Sequence, residues 1–184
     1  MNTLELSLVI PCHNEEKNLQ PLLSAVHAAV DQLGLEYEVV ITDDCSTDNS
    51  WSVLKELGAS DPRLRIQRFE FNCGESAASW AGIQASRGRH IATLDADLRN
   101  DPKDLPAMLE ALKQADCVCG TRAATRGKGD NWIRIASPHI ANSVRNKLSS
   151  ENISDAGCTY RVFKSECIGC EIFQRRASLS SHAD

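Results

Sequence analysis

Five short apolar runs rich in β-branched residues punctuate the first 122 residues, and helical periodicity fills the gaps between them. The runs cover residues 6–11, 37–42, 64–69, "HIATLDA" from His90, and 116–122. Between the first two, Leu19, Leu22, Leu23, Val26, Val30 and Leu33 recur at helical spacing, and Gly34 closes the series. "WSVLKEL" forms a second helix closed by Gly58, and residues 74–88 a third with a face of small residues suited to close packing on a sheet. "DPKDLPAMLEALKQ" is a fourth, with Asp101 as its N-cap and Pro102 at its first position. Strands alternating with helices predict an α/β fold: a mostly parallel, Rossmann-like sheet with helices on both faces.

Past residue 122 the pattern changes. "AATRGKGDN" reads as a basic, Gly-containing loop, "WIRIASPHIANSVRNKL" as an amphipathic helix kinked at Pro138, and residues 158–164 ("CTYRVFK") as a last strand. Residues 168–184 have little periodicity and form an irregular tail.

At 184 residues the chain holds one domain with a real core rather than two. A net charge of −5 argues against a nucleic-acid partner. The charge is unevenly spread: from Gly120 onward ten Lys/Arg face six Asp/Glu, a balance of +4 that leaves −9 for residues 1–119. A basic back third suits an anionic partner. "MNTLELSLVI" has no basic n-region or long apolar h-region, so the eight cysteines read as reduced thiols of a cytoplasmic protein. Cys167 and Cys170 form one C-x-x-C without the second well-spaced pair that zinc needs. No apolar run approaches the ~20 residues of a membrane span.

In open parallel sheets, ligands bind outside the carboxyl ends of the strands. The polar clusters fall at such ends: "PCHNEE" (Pro11, His13 and Glu15 among them) follows the first strand, Asp43 and Asp44 follow the second, Asp95 and Asp97 end the fourth, and Thr121 and Arg122 end the fifth. Two carboxylates at one strand tip repel each other unless a cation joins them. Mg²⁺ or Mn²⁺ supplies that cation, since Mg²⁺ favours one or two carboxylates plus substrate phosphates. Asp95-x-Asp97 therefore reads as a metal clamp on a phosphorylated ligand. The Asp43–Asp44 pair offers acceptors for a base N–H or ribose hydroxyls, and Asp48 a helix cap.

These clusters, in this order, resemble glycosyltransferase family 2, over roughly residues 5–165: "LSLVIPCHNEEKNL", "YEVVITDDCSTDNS", "NCGESAASWAGIQASRGRHIATLDADL", "CGTR" and "DAGCTYRVFK". Within that family the chain looks most like the dolichol-phosphate mannosyltransferase and undecaprenyl-phosphate sugar transferase branch. The resemblance implies a GT-A fold, a UDP- or GDP-sugar donor, inversion at the anomeric carbon, and a polyprenyl phosphate acceptor met at the cytoplasmic face of a membrane. It implies one domain over 1–167, with residues 1–122 binding the nucleotide-sugar and 123–167 the acceptor. Pro11, His13 and Glu15 match the first nucleotide-contacting loop, with His13 where relatives often have Tyr. Asp43 and Asp44 match the base-binding pair, and Asp95 and Asp97 the metal-binding motif. Arg122 matches the "GTR" arginine and Asp155 an acidic residue near the acceptor. Arg134, Arg145 and Arg161 match positions for the lipid phosphate. Where many relatives carry Gln after the second Asp, this chain has Arg99, which pairs with phosphate but ligates no metal.

Three other readings follow from the same residues. The chain ends about twenty residues past "YRVFK". That predicts an incomplete acceptor half, and with it a nucleotide-sugar-binding remnant without turnover. A family 2 transferase acting on a sugar hydroxyl of an envelope glycan would use Asp155 as its base. A nucleotidylyltransferase is disfavoured, because its first loop is Gly-rich and basic whereas "PCHNEE" is neither.

Overall fold

The computed structural model describes residues 4–120 and 159–169. Six strands form one sheet: β1 (Leu6–Cys12), β2 (Tyr37–Asp43), β3 (Leu64–Arg68), β4 (His90–Thr93), β5 (Cys117–Cys119) and β6 (Arg161–Lys164). Four α-helices accompany them: α1 (Leu19–Val30), α2 (Ser50–Ser60), α3 (Glu75–Ala85) and α4 (Leu105–Ala111). The strand order is β3-β2-β1-β4-β6-β5. Strands β1, β2, β3 and β4 pair in parallel, and β6 runs antiparallel to β4. The mostly parallel α/β sheet expected from the alternation is present, with one antiparallel strand inserted beside β4.

Every residue of β1 and β2 is buried. A strand covered on both faces needs no hydrophobic alternation, which is why "LSLVIPC" reads as a continuous run. Helix α3 covers one face, reaching Val9, Ile91 and Phe163 through Ile83 and Trp80. A Cβ on Gly82 would lie 2.5 Å from Val9 Cγ1, so the absent side chain is what lets α3 sit down on β1. Leu6, Leu8 and Ile10 alternate with Val9 and are also no more than 1% exposed. Helix α1 packs beside α2 and α4.

Several boundaries differ from the sequence expectation. Helix α2 runs through Gly58 to Ser60 and stops at an extended Asp61. A Cβ on Gly58 would meet only Ile66, at an ordinary contact distance of 3.8 Å, and the residue lies inside the helix rather than at its end. Strand β4 ends at Thr93, the last residue paired with β1 (Thr93↔Val9), and the chain leaves the sheet before the acidic pair. The α4 region is broken into a 3-10 turn (Pro102–Asp104), the α-helix and a second 3-10 turn (Leu112–Gln114). Asp101 caps it as expected, accepting from Lys103 N. The chain divides into two compact units, Met1–Val118 with Tyr160–Asp184, and Cys119–Thr159. The sheet belongs to the first.

Candidate active site

The strand order reverses between β1 and β4: β2 and β3 lie to one side of β1, and β4 to the other. Open α/β sheets bind ligands at such a switch point, outside the carboxyl ends of the strands. The loops that leave β1, β2 and β4 all emerge there. Cys12 pairs with Asp43 at the last rung of β1 and β2, Asp44 N donates to Cys12 O at 2.8 Å, and Leu94 N donates to Val9 O at 3.0 Å. The clusters from Pro11 to Glu15, Asp43–Asp44 and Asp95–Asp97 thus share one edge of the sheet.

A polar network fixes the first two loops to each other. Asn14 N donates to Ser46 Oγ at 2.9 Å, and Glu15 N to Ser50 Oγ at 2.9 Å. Asn14 Oδ1 accepts from Thr47 N at 2.8 Å, from Thr47 Oγ1 at 3.2 Å and from Asp48 N at 3.3 Å. Asp48, one residue before the N-cap Asn49, accepts from Ser50 N at the start of α2 at 2.9 Å and from Glu16 N at 3.3 Å. Burial alone would raise the Asp48 pKa, but these hydrogen bonds to its carboxylate outweigh it and leave the group below its ordinary value. Glu15 accepts from Asn18 Nδ2 at 2.6 Å at the entrance to α1. Among the described residues three non-glycine residues adopt left-handed backbone, and each lies in a loop leaving β1, β2 or β4: Asn14 (φ 57), Cys45 (φ 55) and Leu98 (φ 61). Such conformations cost free energy and gather where a loop geometry is enforced by its surroundings.

Asp44 is 3% exposed, and both its oxygens are engaged: Cys73 N donates to Oδ1 at 2.7 Å and Gly74 N to Oδ2 at 2.8 Å. The carboxylate thereby satisfies main-chain donors at the start of α3, where the helix dipole also favours negative charge. His13 Nδ1 lies 2.9 Å from Asp44 O and 3.3 Å from Asn72 Nδ2, and Nε2 lies 3.2 Å from Asn14 Nδ2.

Asp43 is fully buried. Its Oδ2 meets Arg68 Nε at 3.0 Å and Ser46 N at 3.3 Å, while Oδ1 has no hydrogen-bond partner among the described residues. Arg68 is held in turn by Ser46 O at 3.0 Å and by the Trp51 ring, 5.5 Å from its Cζ. Beside Asp43, burial and the neighbouring carboxylate push the Cys12 thiol up to about 12.

Asp95 and Asp97 are both partly buried in the turn after β4. Asp95 Oδ2 accepts from Asn100 Nδ2 at 3.2 Å; Asn100 is itself 5% exposed. Asp97 Oδ1 accepts from Arg99 N at 3.0 Å, and Arg99 Nε lies 3.1 Å from Oδ2. Among the described residues no group of three or more His, Cys, Asp and Glu gathers around one point. Two carboxylates alone still suit Mg²⁺ or Mn²⁺, which completes its shell with water and substrate phosphate. Arg161 opens β6 opposite Thr93, two residues before Asp95, and its buried Nε has no hydrogen-bond partner among the described residues. Arg122, Arg134, Arg145 and Asp155 lie outside the described residues. Asn14, Arg68 and Asn100, which orient the acidic groups, were not singled out by the sequence. A charged residue ending the third strand was the available signal for Arg68.

The glycosyl transferase family 2 model matches residues 7–170. The chain is 37% identical over 164 residues to an undecaprenyl-phosphate 4-deoxy-4-formamido-L-arabinose transferase of Aeromonas hydrophila subsp. hydrophila, covering 89% of this chain and 50% of that one. It is 36% identical over 171 residues to a dodecaprenyl-phosphate galacturonate synthase of Rhizobium johnstonii, covering 91% and 50%. The chain thus spans about half the length of these curated relatives. The fold matches a mannosyltransferase from Pyrobaculum calidifontis solved with GDP-Man and Mn²⁺, with a TM-score of 0.63 at 18% identity, over 89% of this chain and 45% of that one. The sheet is therefore that of a GT-A glycosyltransferase, and the chain belongs to glycosyl transferase family 2.

Proposed function

We propose that this chain is the donor-binding and catalytic body of a transferase that moves a sugar from a nucleoside diphosphate onto a polyprenyl phosphate. One observation carries the reading: acidic residues that follow three separate strands lie on the same carboxyl edge of the sheet, at the switch between β1 and β4. The names of the two relatives, both polyprenyl-phosphate enzymes, support the acceptor class.

The donor's base and ribose lie against the loops after β1 and β2, near Pro11, His13, Glu15, Asp43 and Asp44. Asp43 Oδ1 is the open acceptor that a base N–H fits, and its full burial requires the loop after β2 to shift on binding. Asp95 and Asp97 face the diphosphate. A divalent cation held by these two carboxylates supplies charge neutralisation for the departing nucleoside diphosphate. An acceptor phosphate oxygen attacks the anomeric carbon while the bond from that carbon to the diphosphate oxygen breaks, inverting the centre. A phosphate monoester, with a second pKa of about 6, is already ionised near neutral pH and needs no strong base. Asp155 then orients the acceptor rather than deprotonating it. Arg122, Arg134, Arg145 and Arg161 bind the phosphates, Arg161 from beside β4. A basic segment at an anionic cytoplasmic membrane face gains about 1 kcal/mol per nearby Lys or Arg.

The test is a thermal-shift panel of UDP-, GDP- and CDP-sugars with and without Mn²⁺, followed by transfer of labelled sugar to undecaprenyl phosphate. Ligand at 100 times its Kd adds about 2.7 kcal/mol of stability. One base class is expected to raise Tm more with Mn²⁺ than without it, and its sugar to appear on the lipid. No shift with any donor overturns the assignment. Donor binding without transfer to the lipid phosphate overturns the acceptor.

A further inference from the structure

Arg99 folds back on the motif that it follows. Its main-chain N–H and its guanidinium Nε engage different oxygens of Asp97, at 3.0 and 3.1 Å, so one residue occupies both sides of that carboxylate. The left-handed Leu98 between them (φ 61) turns the chain tightly enough for this to happen. The Asp97 side chain is 29% exposed and that of Arg99 71%, so the pair stands at the open side of the turn.

We propose that Arg99 is a built-in counter-cation for Asp97, one that holds metal off this carboxylate until a nucleoside diphosphate arrives with it. The inference rests on the donor-site reading above. A divalent ion that binds alone must displace the Nε contact and then sit beside the freed positive charge. Exposed ion pairs of this kind are weak, so the contact competes with the ion without excluding it. A guanidinium matches phosphate oxygens with two parallel N–H donors. When a diphosphate is present, the released Arg99 has an anion to pair with, and the penalty on the metal disappears. Metal and nucleotide therefore bind with positive coupling, which linkage makes equal in both directions. Arg99 acts here through Asp97 and the diphosphate, as a positioning residue.

The experiment measures Mn²⁺ affinity from the electron paramagnetic resonance signal of the free ion. The wild type, Arg99→Gln and Arg99→Lys are each titrated alone and with saturating UDP or GDP, whichever stabilises the chain. The expected result is that Arg99→Gln binds Mn²⁺ alone roughly three- to tenfold tighter, as loss of one exposed ion pair and one like charge implies. The nucleotide's enhancement of Mn²⁺ affinity should fall by a similar factor. Arg99→Lys, which keeps the charge and loses the fork, should lie between the two. Unchanged or weaker Mn²⁺ binding by Arg99→Gln, with nucleotide binding intact, overturns this inference alone. So does nucleotide binding with no Mn²⁺ bound in any of the three proteins. No nucleotide binding by the wild type overturns the donor-site reading and this inference together.

Discussion

Asp44 joins the loop after β2 to the start of α3, because its two oxygens accept from the N–H groups of Cys73 and Gly74. Asp44→Ala leaves both donors without that partner and should cost about 1–3 kcal/mol in urea unfolding, with Asp44→Asn, which keeps one acceptor oxygen, costing less. An unchanged midpoint for the alanine variant would show that the carboxylate does not hold the helix start. The cysteines make a second residue-level test. Cys12 is 2% exposed and its thiol is pushed up to about 12, first by burial and then by Asp43, whereas Cys73 is exposed. Iodoacetamide at pH 8 should alkylate Cys73 in the folded protein and reach Cys12 only in denaturant; peptide mass spectrometry reads both. The position of Asp95 and Asp97 was legible in the sequence because they directly follow the apolar run of a strand. The Asp44 contacts were not, because they depend on backbone amides some thirty residues away that no local pattern marks.

Glu38 ties several elements together at the opposite end of the sheet from the acidic loops. It lies on β2 and is 2% exposed; it accepts from Ser7 Oγ of β1 at 2.8 Å, from Arg65 of β3 at 3.0 Å, and from the Arg87 Nε and NH2 groups at 3.1 and 2.8 Å. Burial alone would raise its pKa, but the hydrogen bonds from Arg87, Ser7 and Arg65 prevail and hold it below 4.5. A lowered folded pKa contributes stability that is fully present above about 4.5, the unfolded value, and is lost as pH falls through the folded value. Glu38→Gln should therefore cost about 1–3 kcal/mol at pH 7, with the gap to wild type closing below pH 4.5 in chemical denaturation. A gap that stays constant down to pH 3 would count against the ionic part of the network. Gly88, in the turn between α3 and β4, approaches the β1 backbone so closely that a Cβ would lie 2.6 Å from Leu6 C and Ser7 N. Gly88→Ala should destabilise by about 1–3 kcal/mol, since backbone rather than a flexible side chain must move. At this scale the strands and helices were readable from their periods, while their ends were not. β4 stops where its pairing with β1 stops, and α2 continues over Gly58 to Ser60. The antiparallel placement of β6 was invisible, since a run such as "RVFK" carries no record of its neighbour or direction.

For the whole molecule, Asp44 serves both the fold and the proposed donor site, whereas Asp97 makes no comparable contact with the rest of the fold. Asp97 pairs with an exposed arginine, so Asp97→Asn should leave the Tm of the free protein within a degree or two while removing the Mn²⁺-dependent part of the nucleotide-sugar shift. A large drop in the free protein's Tm would instead make Asp97 a structural residue. The α/β class and the shared edge of the acidic groups were both legible in the sequence, because strand-end chemistry in a parallel sheet has one place to go. Asn14, Cys45 and Leu98, the left-handed residues at the exits of β1, β2 and β4, have a consequence for anyone who would harden this protein. Glycine at Cys45 or Leu98 would relieve conformational strain, whereas at Asn14 it would also strip an amide that accepts from Thr47 and Asp48. Each exchange would also loosen a turn through which an acidic loop leaves the sheet, so engineering for durability should begin on the far rim of the sheet and leave these turns alone.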